Sequence, residues 1–544
     1  MAHEPQATSN RQVGTVARGV AASAVIIAAG QLLSRIMGLV RETVIADIFG
    51  ARAGLSAFTV ASAVPDMIYQ LLLGGMVSAA LVPVLSEYAG RGDREELEHV
   101  ASILLSIGSA FFILVVLVLE VIAPLIAVIV GGGFAPDLLH LTTTLIRIIL
   151  PSLVFFASWG ITAAVLYARQ QFVFPALASA VYNLGIIIAA TFLSKRLDSA
   201  ALSIGVVLGA ALQMAIVLPG LRGLRLRPSF DLHHPALRRI LLLYLPVIAS
   251  LVVANLGIII DRNLASRTVP QALGWMRYAT QLYQLPLGLV SVAIATATLP
   301  ALARLTDDPD NRQFRRTLAG ALRLVLVLVV PATIGLLVVG QVGIRIILQH
   351  GVFSAYDTTQ VTKTLFFYLP GLVFAAIDQP LVFAFYARKD TVTPVLVGVL
   401  GVGAYLLVGP ALAFTFHVGY IGLVIANSVQ LTVHCIVLWV LLERRVGTMA
   451  GQGLLNTSAR TSIAAAAMGI AMIGALALCQ ALLPKPSRIA WVIQFGLTGA
   501  LGTVVYLLGL AVLRVEELTT LANMVRRRIG RLTGGAQELE RNDA

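Results

Sequence analysis

Apolar stretches of 20 or more residues recur along the whole chain, separated by short segments rich in Arg, Gly and Pro. Each is long enough to cross a hydrocarbon core about 30 Å thick at about 1.5 Å per helical residue. Strands of a membrane barrel would alternate polar and apolar positions over about ten residues, and the chain does not. The pattern predicts about fourteen helical spans, centred near residues 33, 70, 115, 153, 183, 211, 248, 287, 330, 371, 403, 430, 470 and 502.

Composition narrows the class. With 58% hydrophobic and 12% charged residues over 544 positions, there is too little polar surface to cover a water-soluble globule of this size. The net charge of +13 does not point to nucleic acid, because the basic residues are scattered through short loops between apolar runs. Loops after the even-numbered spans carry Arg91 and Arg94, then Arg222, Arg225, Arg227, Arg238 and Arg239, then Arg304, Arg312, Arg315 and Arg316, then Arg444 and Arg445. By the positive-inside rule both termini are expected in the cytoplasm, and the Arg526 to Arg528 cluster agrees. Cys435 and Cys479 lie in apolar runs without a second ligand at metal spacing, and read as small core residues.

A repeat is visible without gaps. The segment ending at Pro175 can be laid on the segment ending at Pro394, which pairs Gly132 with Gly351, Phe134 with Phe353, Pro151 with Pro370, Tyr167 with Tyr386 and Arg169 with Arg388, all 219 residues apart. That offset spans six helices, an even number, so the copies are expected to share one orientation, as in two-lobed transporters. The expected fold class is therefore an all-α polytopic membrane protein: two six-helix lobes related as parallel repeats, plus two C-terminal helices. The boundaries read as a cytoplasmic tail 1–18, a first lobe 19–228, a second lobe 229–446, spans 13 and 14 in 447–516, and a basic cytoplasmic tail 517–544.

An Arg, Lys or Asp at a helix centre costs roughly 2.5 to 3.5 kcal/mol on insertion scales, so charges inside spans mark a cavity or a paired site. Arg35, Arg41 and Glu42 in span 1 and Asp66 in span 2, with the polar Gln281 and Gln284 of span 8, form the candidate substrate-binding set. Asp261 and Arg262 in span 7 and Asp378 in span 10 are candidates for an ion site or an internal charge pair; His434 reads as a packed or interfacial side chain. Arg35 and Arg41 sit about 120° apart on an ideal helix, so a kink would be needed to converge them. Pro65, Pro151, Pro246, Pro286 and Pro370 are expected to kink or break their spans.

Some chemistry is missing. No Gly-rich loop ending in Lys and Ser or Thr is present to hold a nucleotide, no histidine pair sits at zinc spacing, and no soluble domain carries a catalytic triad. The expectation is a transporter rather than an enzyme, with no cofactor, driven by the membrane potential or an ion gradient.

The stretch QLLSRIMGLVRETVIADIFGARAGLSAFTVASAVP from Gln31 to Pro65, together with ALVPVLSEY, GVF followed by YD, and FYARKDTVTP from Phe385 to Pro394, resembles the MurJ (MviN) lipid II flippase family. The resemblance runs from about Arg18 to Arg445. It implies a two-lobed alternating-access fold of the multidrug/oligosaccharidyl-lipid/polysaccharide exporter superfamily. It also implies an inner-membrane location and outward movement of the undecaprenyl-diphosphate-linked peptidoglycan precursor. The implied partners are that lipid-linked glycan, membrane lipids and cell-wall synthesis proteins, with no nucleic acid. Arg35 and Arg41 match two family arginines that face the central cavity, where guanidinium groups suit a diphosphate.

Several family charges are replaced. Ser56 stands where the family has Asp, Tyr69 and Gln70 where two arginines follow, Gly74 and Gly75 for a Glu-Gly pair, and Gln281 for an arginine. Alternative cargoes are another polyprenyl-linked oligosaccharide or a drug. A non-transporting scaffold for wall synthesis and an embedded glycan-modifying enzyme are readings of other classes.

Overall fold

A computed structural model of the chain describes residues 6–70, 77, 80–90, 93–306, 310–483 and 487–519, with side chains described outside 6–25, 27–28 and 245–254. The expectations for Gly74, Gly75 and the Arg526 to Arg528 cluster lie outside these residues.

Among the described residues all regular structure is helical, with no strand. The first part holds α1 (Gln6–Phe49), α2 (Ala53–Ala61), α3 (Ala63–Gln70), α4 (Val82–Gly90), α5 (Arg94–Gly131), α6 (Pro136–Ile149), α7 (Ser152–Ala168), α8 (Val173–Leu197), α9 (Ala200–Val217) and α10 (Pro235–Ser266). The second holds α11 (Ala272–Pro286), α12 (Val292–Arg304), α13 (Arg312–Leu348), α14 (Ala355–Ala387), α15 (Val392–Pro410), α16 (Tyr420–Val446), α17 (Leu454–Leu482) and α18 (Arg488–Val512). Eleven helical stretches among the described residues are long and apolar enough to cross a membrane. With α1, α10 and the α2 to α4 region, fourteen crossings are compatible with this architecture.

Helix α5 shows why lipid is the solvent. Its N-terminus is polar: Asp93 accepts a hydrogen bond from the Glu96 amide at 3.1 Å, and Glu95 and Glu96 occupy the first turn, where acids complement the helix dipole. Further along, Phe111, Ile113, Leu114, Leu117, Val118 and Val121 are all exposed, a continuous apolar face that water would not tolerate.

Compactness divides the chain into one unit of Met1–Gly274 with His350–Ser354 and another of Trp275–Gln349 with Ala355–Ala544. Helix α10 falls in the first unit, where it packs on α4 and α5. In the first unit, Leu81, Val84 and Leu85 bury against Leu97, Val100, Ile161 and Val165. Helices α8 and α9 touch through glycine: a Cβ on Gly185 would stand 2.4 Å from the Gly209 Cα. Such small-residue contacts let membrane helices approach closely without help from the hydrophobic effect.

The second unit is centred on Leu318, Leu322, Leu381, Phe385, Leu438 and Leu442. The appended α17 and α18 pack onto α13 through Met468, Met472 and Val327, and the Tyr506 hydroxyl donates to the Val327 carbonyl at 2.6 Å.

The repeat keeps several local contacts in both copies, although Gly132 is right-handed at φ −64° and Gly351 left-handed at φ 55°. The Phe134 amide donates to the Gly131 carbonyl at 2.9 Å and the Phe353 amide to the His350 carbonyl at 3.0 Å. Gln170 and Lys389, also 219 residues apart, both take left-handed backbone, at φ 58° and 60°. The amides that follow, Gln171 and Asp390, reach back to Leu166 and Phe385 at 2.8 and 3.0 Å. The matched prolines differ: the helix breaks at Pro151 between α6 and α7, while α14 continues through Pro370.

The other prolines divide too. Pro65 lies in α3 just after α2 has ended, Pro286 is followed by a π-helical turn over Leu287–Ser291, and α10 runs on through Pro246. Pro370 and Pro246 thus do not break their helices. A proline removes one amide donor, and a buried helix of 33 residues such as α14 can lose it without being interrupted.

Candidate functional site

Helix α1 is unbroken from Gln6 to Phe49, so Arg35 and Arg41 keep the separation of about 120° that their spacing dictates. Their surroundings differ. Arg41 is tied to its neighbour Glu42, with Nη2 at 2.6 Å and Nε at 3.1 Å from the same Oε1. The Glu42 side chain is only 3% exposed and that of Arg41 17%, so the carboxylate enters the interior with its counter-charge attached. Arg35, half-buried one and a half turns earlier, makes no ion pair among the described residues. It is the span 1 cation left with hydrogen-bonding capacity for an anion.

Asp66 is exposed in the first turn of α3. One turn on, Tyr69 fills its replaced position with an aromatic cluster, its ring centroid 4.8 Å from Phe156, 6.0 Å from Trp159 and 6.4 Å from Tyr182. Its hydroxyl accepts from Gln213 Nε2 at 3.3 Å. Buried Ser56 accepts from the Gly274 amide at 3.3 Å, so a neutral hydrogen bond occupies this replaced position. Gln70 is exposed.

Arg262 does not snorkel outward. It is half-buried, and Nη1 donates to the Thr59 carbonyl at 2.6 Å, near the end of α2, where a cation also complements the helix dipole. Asp261 beside it is half-buried as well. In the second unit, Gln281 is half-buried and Gln284 exposed on α11.

Asp378 on α14 is 7% exposed, and its Oδ1 lies 2.8 Å from Nδ1 of His434 on α16. His434, expected as a packed or interfacial side chain, is thus one half of a close polar pair. Its partner is 56 positions away, so only the one signal of a histidine on an apolar span pointed to it.

The FYARKDTVTP segment proves to be a built helix entry. Asp390 accepts from the Val392 and Thr393 amides at 3.1 and 2.9 Å and from the Thr393 hydroxyl at 2.6 Å, and it pairs with Arg445 at the end of α16. Arg388 donates to Asn311 Oδ1 at 3.0 Å; its repeat mate Arg169 donates to the Gly220 carbonyl at 3.2 Å. These polar signature residues hold helix ends together. Burial pushes the Asp390 carboxyl up, but the Thr393 hydroxyl, the Thr393 amide and Arg445 outweigh it and hold the group at about 2. A depressed carboxylate stabilises the fold above its unfolded value of 3.8 and loses that contribution as pH falls through about 2. Asp390→Asn is thus expected to destabilise by about 1–2 kcal/mol at neutral pH, with the gap closing between pH 4 and 2, read from unfolding temperatures in detergent.

Lipid-facing helices, two copies of one helical repeat and charges satisfied within the apolar interior define an all-helical, multi-pass membrane protein. The family model described as lipid II flippase MurJ matches residues 45–488. A lipid II flippase MurJ of Burkholderia cenocepacia is 31% identical over 427 residues, covering 76% of this chain and 82% of the relative. A probable lipid II flippase MurJ of Vibrio cholerae is 29% identical over 429 residues, covering 76% and 81%. Among solved structures, a lipid II flippase MurJ in an inward closed conformation superposes with a TM-score of 0.74 at 22% identity, covering 90% of this chain and 98% of that one. An inward-facing multidrug MATE family transporter of the MOP superfamily gives 0.65 at 12% identity, covering 76% and 95%. The chain belongs to the lipid II flippase MurJ family, a family of transporters rather than enzymes.

Proposed function

We propose that this protein moves lipid II, the polyprenyl-diphosphate-linked peptidoglycan precursor, from the inner to the outer leaflet of the bacterial inner membrane by alternating access. The observation that carries this reading is the family match across 45–488. In this reading both termini are cytoplasmic, in line with the arginine-rich loops after even-numbered spans. The inside-negative potential favours export, because each negative charge moving outward gains about 2.3 kcal/mol per 100 mV. Arg35 is the first contact for the diphosphate, and Arg41 joins by exchanging Glu42 for phosphate oxygens, a trade between two anions of similar hydrogen-bonding geometry. Cell-wall synthesis proteins are the proposed partners at the membrane.

The test is complementation. The chain is expressed in a bacterium depleted of its own lipid II flippase, and externally accessible lipid II is followed. Restored growth with lipid II appearing outside is the expected result. A well-expressed, membrane-inserted chain that leaves lipid II inside would point to another polyprenyl-linked cargo, which the replaced positions Ser56, Tyr69 and Gln281 keep in view.

A further inference from the structure

The contacts of His434 hold more than an ion pair. One ring nitrogen, Nδ1, lies 2.8 Å from Asp378 Oδ1; the other, Nε2, lies 3.3 Å from the Pro394 carbonyl oxygen at the start of α15. A carbonyl can only accept, so for both contacts to be hydrogen bonds Nε2 must carry a hydrogen. The remaining short contact then needs a second hydrogen between Nδ1 and Oδ1, carried as imidazolium against carboxylate or as carboxylic acid against neutral imidazole. In either arrangement the pair holds one proton more than a neutral histidine beside a carboxylate.

Removing that proton leaves one of two poor states. If Nε2 keeps its hydrogen, the Nδ1 lone pair faces a carboxylate at 2.8 Å; if Nδ1 keeps it, the Nε2 lone pair faces the Pro394 carbonyl. Both place an uncompensated negative charge in an apolar interior, since Ile377, Leu381, Leu438 and Val397 surround this part of α14, α15 and α16. Among the described residues no cation other than His434 lies within ion-pair distance of Asp378.

The neighbouring elements add little charge. On the pair's own helices, Tyr386 lies about two turns along α14 from Asp378, and Cys435 follows His434 on α16. On α15 the facing positions are glycines, where a Cβ on Gly398 would stand 3.9 Å from Nε2 and one on Gly401 3.8 Å from the His434 Cβ. Helices α12 and α13 bring apolar residues such as Leu302, Phe314 and Leu318. Of the cations elsewhere on α13 and α16, Arg323 pairs with Glu517, Arg315 donates to the Val446 carbonyl and Arg445 pairs with Asp390. The His434 and Asp378 side chains keep 17% and 10% exposure.

We propose that Asp378 and His434 form a proton-binding site in the second helical unit, and that release and rebinding of this proton is coupled to transport. The proton comes from water and returns to water; no other co-reactant is needed. Losing it weakens a contact that joins α14, α15 and α16 at one point, so protonation state and helix arrangement are linked through the differential stability of the pair. The coupling half of the proposal rests on the transport function proposed above; the binding half does not.

The test has two arms. In the first, the full chain carries 15N-labelled histidine and the ring nitrogens are followed by NMR from pH 5 to 9, with His434→Gln assigning the signal. The expected result is a single step in which His434 loses one hydrogen, moved by more than one pH unit in Asp378→Asn. A His434 signal that does not respond to Asp378→Asn, or stays a single neutral tautomer throughout, overturns the site.

In the second arm, proteoliposomes are given a pH gradient at fixed membrane potential and lipid II translocation is measured. The wild type is expected to change rate by at least about threefold with the gradient. The double variant Asp378→Asn with His434→Gln, whose amides keep a hydrogen bond and whose fold is checked by unfolding temperature, is expected to show no response. A wild type that translocates without responding overturns the coupling and leaves the pair structural. A wild type that translocates nothing sinks the proposed function, while the first arm still decides the proton site.

Discussion

Arg35→Ala is expected to lower lipid II translocation in proteoliposomes by about 10- to 100-fold with the protein still folded. The range follows from the roughly 1.5–3 kcal/mol of a hydrogen bond to a charged group. Arg35 is half-buried and without an ion pair among the described residues, so its removal strands no protein carboxylate and stability should change little. Arg35→Lys keeps the charge and loses the planar fork that matches phosphate oxygens, so an intermediate rate is expected. Arg41→Ala should behave differently, because it takes the guanidinium away from the buried Glu42 carboxylate; unfolding temperature and rate should fall together. Unchanged translocation in Arg35→Ala would remove Arg35 from the substrate path.

Gly351→Ala is expected to destabilise the protein by about 2–5 kcal/mol, seen as a lower unfolding temperature in detergent. Two effects add. The residue has φ +55°, a left-handed backbone that costs an L side chain about 1–2 kcal/mol. A Cβ there would also stand 2.0 Å from the Asp47 carbonyl oxygen, since the turn of His350–Ser354 folds onto the end of α1 and the Val352 amide donates to that same carbonyl at 3.0 Å. Overpacking at such a site adds about 1–3 kcal/mol. Gly403→Ala is the control: it lies within α15 with open space around it, and is expected to be neutral or slightly stabilising. A stable Gly351→Ala protein would mean that this turn is not held as described.

Gly351 also shows how far sequence reasoning reached. Its match with Gly132 was legible as part of the repeat, but the left-handed turn against Asp47 belongs to Gly351 alone, since Gly132 stands at φ −64°. The FYARKDTVTP segment was legible as a family signature, but not as a helix entry, because Arg445, which completes it, is 55 positions away. For the charged residues within spans, sequence could state only that each needs a partner or a cavity. It could not separate Arg41, neutralised by its neighbour Glu42, from Arg35, since adjacent side chains on a helix do not ordinarily face each other. Nor could it foresee that Tyr69 would replace a charged position with an aromatic cluster drawn from α7 and α8.

By itself, the sequence determined the solvent, the secondary structure, the repeat and the family. Apolar runs of membrane length must satisfy every backbone amide internally, and helices do so with contacts four residues apart. Only the tertiary structure decided which charges are spent inside the protein: Arg262 on the Thr59 carbonyl, Arg41 on Glu42, Asp378 on His434, with Arg35 left over. Two of those three contacts are made between helices, across 203 and 56 residues of sequence, and hydropathy carries no information about which helix faces meet. The third, Arg41 with Glu42, is local in sequence yet set by the burial of Glu42, which packing alone fixes.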